Sequence, residues 1–105
     1  MNKASRMVLQ KILLRYLDKK YKEVIPEKKI RDFGVPRDFR FDFYIADINV
    51  AIEINGGQMV GGRHNRGGPG YEKDLMKLNL TQHAGIKIYQ FTYEMLNREE
   101  YKLFV

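Results

Sequence analysis

At 105 residues, of which 44% are hydrophobic, the chain fits a single globular domain spanning residues 1–105 rather than a disordered or multidomain protein. It has no cysteine, which excludes disulfides and thiolate-bound metal clusters, and no apolar run near the roughly 20 residues that cross a bilayer, so we expect a cytoplasmic protein with no membrane partner. The 19 lysines and arginines outnumber the 13 aspartates and glutamates, and the net charge of +6 favours a polyanionic partner, because neutralised phosphates release condensed counterions.

The first predicted element is an amphipathic helix from Lys3 to Lys20. Its apolar residues recur at spacings of three and four, which places them on one stripe of a helix. This stripe consists of Val8, Leu9, Ile12, Leu13, Tyr16 and Leu17, and the other face carries Lys11, Arg15 and Lys19. We interpret the stripe as core and the basic residues as a solvated face.

Three strands are predicted to follow the helix. A proline disfavours a helical conformation in the residue before it, so Ile25-Pro26 argues against a helix in the region after the first helix. We expect the first strand within residues 28–33. The next two strands, residues 41–45 and 50–54, are rich in aromatic and β-branched side chains. The four residues between them suit a tight turn, so the pattern predicts a β-hairpin.

The register of this hairpin decides whether two acidic residues meet. A turn centred on residues 47–48 pairs residues whose numbers sum to 95, which sets Asp42 opposite Glu53. Because side chains alternate between the faces of a strand, Tyr44 shares the face of these acids. The opposite face of the first strand carries Phe41, Phe43 and Ile45. Directly opposed residues have Cβ atoms about 4.5–5.5 Å apart, so the two carboxylates repel unless a positive charge lies between them.

The rest of the chain predicts a loop, a helix, a strand and a terminal helix. Seven of residues 56–70 are glycine, which is typical of a loop. A helix over residues 72–83 ends at Gly85, a strand spans residues 86–92, and a short helix or extension covers residues 93–104. In the second helix Leu75, Leu78 and Gln82 are predicted to face inward, with Asp74, Lys77 and Thr81 along a neighbouring face. The order αβββαβα predicts an α/β fold, with a mixed sheet of about four strands flanked by helices.

Asp42 and Glu53 are the first candidates for a chemical function. An aspartate followed about ten residues later by a glutamate on a paired strand is a common way to build a Mg²⁺ site in phosphodiesterases. Hard cations prefer carboxylate oxygens, and Mg²⁺ keeps several waters, one of which can become the nucleophile. An acid pair on a hairpin is also typical of solvated surface charges, or of carboxylates bound to lysine or arginine. The spacing alone leaves these alternatives open.

Four stretches of the chain carry a resemblance to a known family. They are Arg40-Phe41-Asp42-Phe43, Ala51-Ile52-Glu53-Ile54-Asn55-Gly56-Gly57, Gly62-Arg63-His64-Asn65-Arg66-Gly67, and Tyr71-Glu72-Lys73-Asp74 with Lys77 and Asn79. Together they resemble the PD-(D/E)xK nuclease superfamily, in particular small and mostly phage-encoded endonucleases related to Vsr-like and VRR-NUC domains. The similarity spans roughly residues 40–96. It implies a restriction-endonuclease-like core in a protein of the host cytoplasm, and Mg²⁺- or Mn²⁺-dependent hydrolysis of DNA that leaves 5′-phosphate and 3′-hydroxyl ends.

The resemblance also assigns roles to individual residues. It makes Asp42 and Glu53 metal ligands, with the backbone carbonyl of Ile54 completing the site. Asn55 stands where the superfamily usually has a lysine that orients the water and stabilises developing charge. An amide cannot act as a general base, although its oxygen can bind a metal or orient a water. Either Lys77 in the following helix supplies the missing charge, or the site has lost catalysis and the protein only binds nucleic acid.

The glycine-rich loop carries four further candidates. Arg63 and Arg66 are expected to clamp phosphates, and Gln58 to support the metal site or contact the scissile phosphate. His64 is a candidate general acid or base, since histidine titrates near neutral pH, or a simple DNA contact. The alternative is a surface loop whose charges only keep it soluble.

The residues together predict an endodeoxyribonuclease that uses Mg²⁺ or Mn²⁺ and no small-molecule organic cofactor. So small a chain has little surface for reading base sequence, so we expect it to recognise junctions, flaps or nicks, or to be guided by a partner. A homodimer is also expected, because one site cuts one strand. Two rivals stay open: a catalytically degenerate nucleic-acid-binding module with the same fold, and a small basic RNA-binding protein unrelated to nucleases.

Overall fold

A computed structural model describes residues 1–55 and 69–105 of the chain. The elements are, in order, α1 (Lys3–Lys20), β1 (Val24–Lys29), β2 (Arg40–Ile45), β3 (Val50–Asn55), α2 (Pro69–His83), β4 (Lys87–Thr92) and α3 (Tyr93–Asn97). Short 3-10 helices occupy Ile30–Phe33 and Glu100–Leu103. The predicted α/β class and the order αβββαβα are confirmed, and the first helix has its predicted bounds.

The four strands form one mixed sheet in the order β1-β2-β3-β4. The pairs β1–β2 and β2–β3 are antiparallel, whereas β4 runs parallel to β3 and follows it through α2. In the hairpin, Phe43 pairs with Ile52 and Tyr44 with Ala51, so paired residue numbers sum to 95 as predicted. This register, with the parallel pairing of β4, decides which side chains meet at the end of the hairpin.

Helices cover both faces of the sheet. On one face, a first core joins α1 and α3 to the strands, and its buried members include Leu13, Leu17, Phe43, Ile52, Phe91 and Leu96. On the other face, a second core lies under α2 and the segment before β2, and its buried members are Ile30, Phe41, Tyr44, Ala51 and Ile86. Glu53 follows Ala51 by two residues along β3, so its side chain lies on the face that α2 covers.

The first strand begins and ends earlier than predicted. β1 spans Val24–Lys29, and a 3-10 helix over Ile30–Phe33 takes up most of the stretch that was expected to be a strand. β1 contains Pro26, which pairs with Phe43 in the ladder. An edge strand tolerates proline because one side of its backbone needs no partner strand, and β1 is the edge of this sheet.

Phe41 does not share a face with Phe43 and Ile45, and the prediction that it would is wrong. Its side chain is fully buried in the second core, on the side of α2. The β1–β2 ladder pairs residues on both sides of Glu27 but not Glu27 with Asp42, and Glu27 adopts the left-handed conformation with φ 54°. The regular alternation of β2 is therefore interrupted beside Asp42, and Phe41 turns toward α2.

The buried faces of the two long helices differ from the predicted ones. In α1, Leu13 and Leu17 are fully buried, but Val8 and Ile12 are 54% and 46% exposed and do not belong to the core.

None of the helices in residues 1–55 and 69–105 is long and apolar enough to cross a membrane.

In α2, the predicted inward residues Leu75 and Gln82 are exposed, whereas Thr81 is fully buried. The Thr81 hydroxyl donates to the carbonyl of Lys77 at 2.6 Å, which satisfies the hydroxyl inside the core. The helix therefore turns Lys77 and Thr81 toward the sheet, and the apolar pattern of its sequence does not reveal this rotation.

Gly85 ends α2 as predicted and sets the position of β4. It has φ 81°, and its N–H donates to the carbonyl of Gln82 while the N–H of Ile86 donates to the carbonyl of Thr81. This pair of bonds is the Schellman ending of a helix, which requires a residue in the left-handed conformation. The chain then enters β4 directly, alongside β3.

Candidate functional site

The side chains of Asp42 and Glu53 meet where the β2–β3 ladder stops. The last backbone pair is Phe43 with Ile52, and beyond it the carboxylates of the two acids accept hydrogen bonds from backbone N–H groups of the opposite strand. Oε1 of Glu53 accepts the N–H of Asp42 at 3.0 Å, and Oδ2 of Asp42 accepts the N–H of Ile54 at 2.7 Å. The predicted meeting of the two acids is confirmed, and backbone donors hold both carboxylates in place.

Lys77 reaches this point from α2. Its Nζ lies 2.6 Å from Oε2 of Glu53 and donates to the backbone carbonyl of Arg40 at 2.7 Å. The ammonium also lies 5.6 Å and 5.9 Å from the ring centroids of Phe41 and Phe39. The side chains of Lys77 and Glu53 are each 18% exposed. A lysine outside the strand motif is therefore held beside the two acids by an ion pair, a hydrogen bond and two aromatic rings.

Burial has the largest effect on the pKa of Glu53. Burial raises the pKa of the Glu53 carboxyl above its ordinary value, and the charge of Asp42 raises it further. The hydrogen bond and charge of Lys77 and the N–H of Asp42 act in the opposite direction, but the raised pKa shows that burial outweighs them. The folded protein thus keeps a carboxylate that further positive charge would stabilise.

A cleft opens beside these residues, between the end of the sheet and α2. It has a volume of about 30 Å³ and is lined by Glu53, Asn55, Asp74, Lys77, Leu78, Ile88 and Gln90. Asn55, the residue that departs from the family motif, donates from Nδ2 to Oε1 of Gln90 at 2.9 Å. Carboxylate, amide and ammonium groups thus share one small space, which suits the binding of a polar or charged ligand.

The sequence motifs do not single out Gln90 as a site residue, although its place within a strand indicates one. It lies in a strand whose other central residues are aromatic or β-branched, and alternation places it on the same face as Ile88. In the parallel ladder its Cα partner is Glu53, as Thr92 is that of Asn55. A polar residue inside an apolar strand was therefore a reason to look for a site there.

The remaining predicted site residues lie outside the described part of the chain: Gln58, Arg63, His64 and Arg66. Their predicted roles stay predictions from the sequence. Within residues 1–55 and 69–105, no three histidine, cysteine, aspartate or glutamate side chains are grouped closely enough to hold a metal ion. Asp74 lines the same cleft as Glu53, but among the described residues it does not join Asp42 and Glu53 in a group of three that could hold a metal ion.

No protein-family model, no curated protein and no solved structure matches this chain. Membership of the PD-(D/E)xK superfamily therefore remains a prediction from the sequence motifs. The function has to be argued from the geometry of Asp42, Glu53 and Lys77 and from the cleft beside them.

The raised pKa of Glu53 predicts a pH dependence of stability. A raised pKa means that the folded state binds the proton more tightly than the unfolded chain, so this carboxyl makes folding less favourable as pH rises from its ordinary pKa to the raised one. Glu53→Gln removes this titration. We expect the free energy of unfolding of Glu53→Gln, relative to wild type, to rise as the pH increases above about 4, the ordinary pKa of a glutamate. Urea unfolding followed by circular dichroism measures it, with the exposed Glu94→Gln as control, and a flat or falling difference would contradict the dominance of burial.

Proposed function

We propose that this protein is a metal-dependent nuclease of the PD-(D/E)xK type that hydrolyses phosphodiester bonds of DNA. The observation that carries the proposal is the convergence of Asp42, Glu53 and Lys77 at the end of the hairpin, beside a small cleft that Glu53 and Lys77 line. A structural salt bridge would need one acid and one base. Here the ammonium of Lys77 pairs with Glu53 alone, Asp42 adds a second carboxylate beside Glu53, and the pKa of Glu53 is raised, chiefly by burial.

The donor set fits a hard divalent cation. Asp42 and Glu53 offer carboxylate oxygens, Ile54 a backbone carbonyl and Asn55 an amide oxygen, all of which are hard ligands. Two carboxylates are sufficient for Mg²⁺, because this ion keeps several waters in its shell. When bound, the cation would lower the pKa of one of these waters and so supply the nucleophile.

The protein's own groups supply position and charge. The backbone N–H groups of Asp42 and Ile54 fix the two carboxylates, so the ligands need little rearrangement. The ammonium of Lys77 is the charge that stabilises the developing negative charge on the phosphoryl oxygens, in the role that the usual lysine at position 55 would have. Asn55 cannot take a proton from the water, and we assign it an orienting role through its amide.

DNA is the substrate that the motifs and the charge favour. The net charge of +6 attracts a polyanion, and the choice of DNA over RNA rests on the family resemblance. Junctions, flaps or nicks remain our proposed substrates, as do a homodimer or a guiding partner. The phosphate contacts proposed for Arg63 and Arg66 would add to the same attraction.

A cleavage assay tests the proposal directly. Labelled single-stranded, duplex, flap and four-way-junction DNA are incubated with the wild-type protein in Mg²⁺, in Mn²⁺ or in EDTA. We expect cleavage of at least one DNA form in either metal, none in EDTA, and products with 5′-phosphate and 3′-hydroxyl ends. Binding of DNA without cleavage of any form would refute the nuclease and favour the degenerate binding module.

A further inference from the structure

We propose that Gln90 is a substrate-binding residue whose side-chain amide donates a hydrogen bond to a phosphate oxygen of bound DNA. The inference rests on the proposed nuclease function, because it takes the substrate to be a phosphodiester. It goes beyond that function by adding a contact from β4, an element that carries none of the motif residues. The position of Gln90, its bonding and its neutral charge each support it.

The sheet places Gln90 beside the acids. β4 pairs with β3 in parallel, and the Cα partner of Gln90 is Glu53. Alternation along β4 sends Gln90 to the face of Ile88, which α2 covers, and both residues line the cleft. The opposite wall of this cleft is formed by α2, from which Lys77 projects to Glu53. Gln90 therefore lines the same small cleft as Glu53 and Lys77, on the strand next to the acids.

The hydrogen bonds of Gln90 leave its donors free for a ligand. Its Oε1 accepts the N–H of Asn55 at 2.9 Å, which fixes the orientation of the amide. A glutamine amide also carries two N–H donors on Nε2. Among the described residues neither donor has an acceptor, and the side chain is exposed. The Asn55–Gln90 pair therefore holds a fixed donor at the edge of the cleft.

A phosphate oxygen is the acceptor that suits this donor. The side chain of Gln90 bonds to Asn55 and not to Glu53, so its neutral amide adds a donor near the charge of Lys77 without engaging that carboxylate. Hydrogen bonds to charged acceptors are the stronger ones, and an amide N–H is a common contact to a DNA phosphate. The contact would fix the strand in the cleft without reading its sequence.

Gln90→Glu separates this role from a purely structural one. The glutamate keeps the side-chain length and an oxygen that accepts from Asn55, so the link between β3 and β4 is retained. It loses the donors and adds a negative charge that faces the phosphate. A structural role predicts unchanged DNA binding, whereas a phosphate contact predicts a loss. Gln82→Glu on the exposed surface of α2 makes the same change in net charge away from the cleft.

The experiment measures dissociation constants for fluorescently labelled duplex and flap DNA by anisotropy in EDTA, where no cleavage occurs. We expect the dissociation constant of Gln90→Glu to be about tenfold or more above that of Gln82→Glu, measured at a temperature at which circular dichroism shows both variants to be folded. Gln90→Met, which removes the donors without adding charge, is expected to weaken binding in the same direction by a smaller factor.

The outcomes separate this inference from the proposed nuclease. Equal affinities of Gln90→Glu and Gln82→Glu overturn the phosphate contact even if the wild type cleaves DNA. Wild-type affinity in Gln90→Met also overturns it, because charge repulsion alone then explains the glutamate variant. Weaker binding by both Gln90→Glu and Gln90→Met in a protein that never cleaves supports the contact and refutes the nuclease, whereas a wild type that binds no DNA overturns both.

Discussion

Replacing Glu53 by glutamine is expected to reduce metal-dependent cleavage of DNA by about a thousandfold or more. A metal contributes several kcal/mol to the stabilisation of the transition state, and each 1.4 kcal/mol corresponds to about a factor of ten in rate. Glutamine has the size and shape of glutamate and keeps one oxygen, which can accept from Asp42 or from Lys77 but not from both, because Glu53 accepts them on Oε1 and Oε2 respectively. The change therefore removes the charge of one metal ligand and leaves its shape.

Single-turnover cleavage at saturating Mg²⁺ measures this loss, on whichever DNA form the wild type cuts best. Glu94→Gln is the matched control, because it makes the same chemical change at an exposed position at the start of α3. Its rate is expected to equal that of the wild type. If Glu53→Gln cleaves within tenfold of wild type while it remains folded, Glu53 does not hold the catalytic cation and the proposed site is wrong.

The hairpin and its two acids could be predicted from the sequence because local rules determine them. Aromatic and β-branched residues marked the strands, and a turn centred on residues 47–48 predicted the observed register, which brings Asp42 and Glu53 together. One local rule failed at Phe41, where the left-handed Glu27 in the neighbouring strand interrupts the alternation. That interruption arises from β1, which the sequence marked too weakly to place.

The partners of the acids could not be predicted, because they depend on tertiary geometry. The rotation of α2 decides whether Lys77 or Leu75 faces the sheet, and the apolar pattern favoured Leu75. The helix instead buries Thr81, whose hydroxyl is satisfied within its own turn. Likewise, the pairing of Gln90 with Glu53 follows from the parallel register of β4, which no pattern within β4 itself specifies. The family resemblance named Lys77, but only the fold brings its ammonium to Glu53.

Replacing Lys77 by methionine is expected to lower cleavage about a hundredfold or more without weakening metal binding. Methionine keeps much of the apolar length that packs near Phe39 and Phe41 and removes the ammonium. The ammonium lies against the carboxylate that is proposed to hold the cation, so it competes with that cation for Glu53. At about pH 8, where carboxylates ionise readily, we therefore expect the affinity for Mn²⁺ to stay equal or to rise, as measured by isothermal titration calorimetry.

Measuring cleavage and Mn²⁺ affinity together decides which role Lys77 has. Lys73→Met is the control, since Lys73 lies one turn earlier on α2 and is exposed. Loss of cleavage with Mn²⁺ affinity retained assigns Lys77 to the reaction itself. Loss of both would mean that Lys77 only holds Glu53 in position. Unchanged cleavage would mean that the contact between Lys77 and Glu53 is only a structural ion pair. Since Asn55 carries no charge, neither of these two residues would then take the role of the usual lysine.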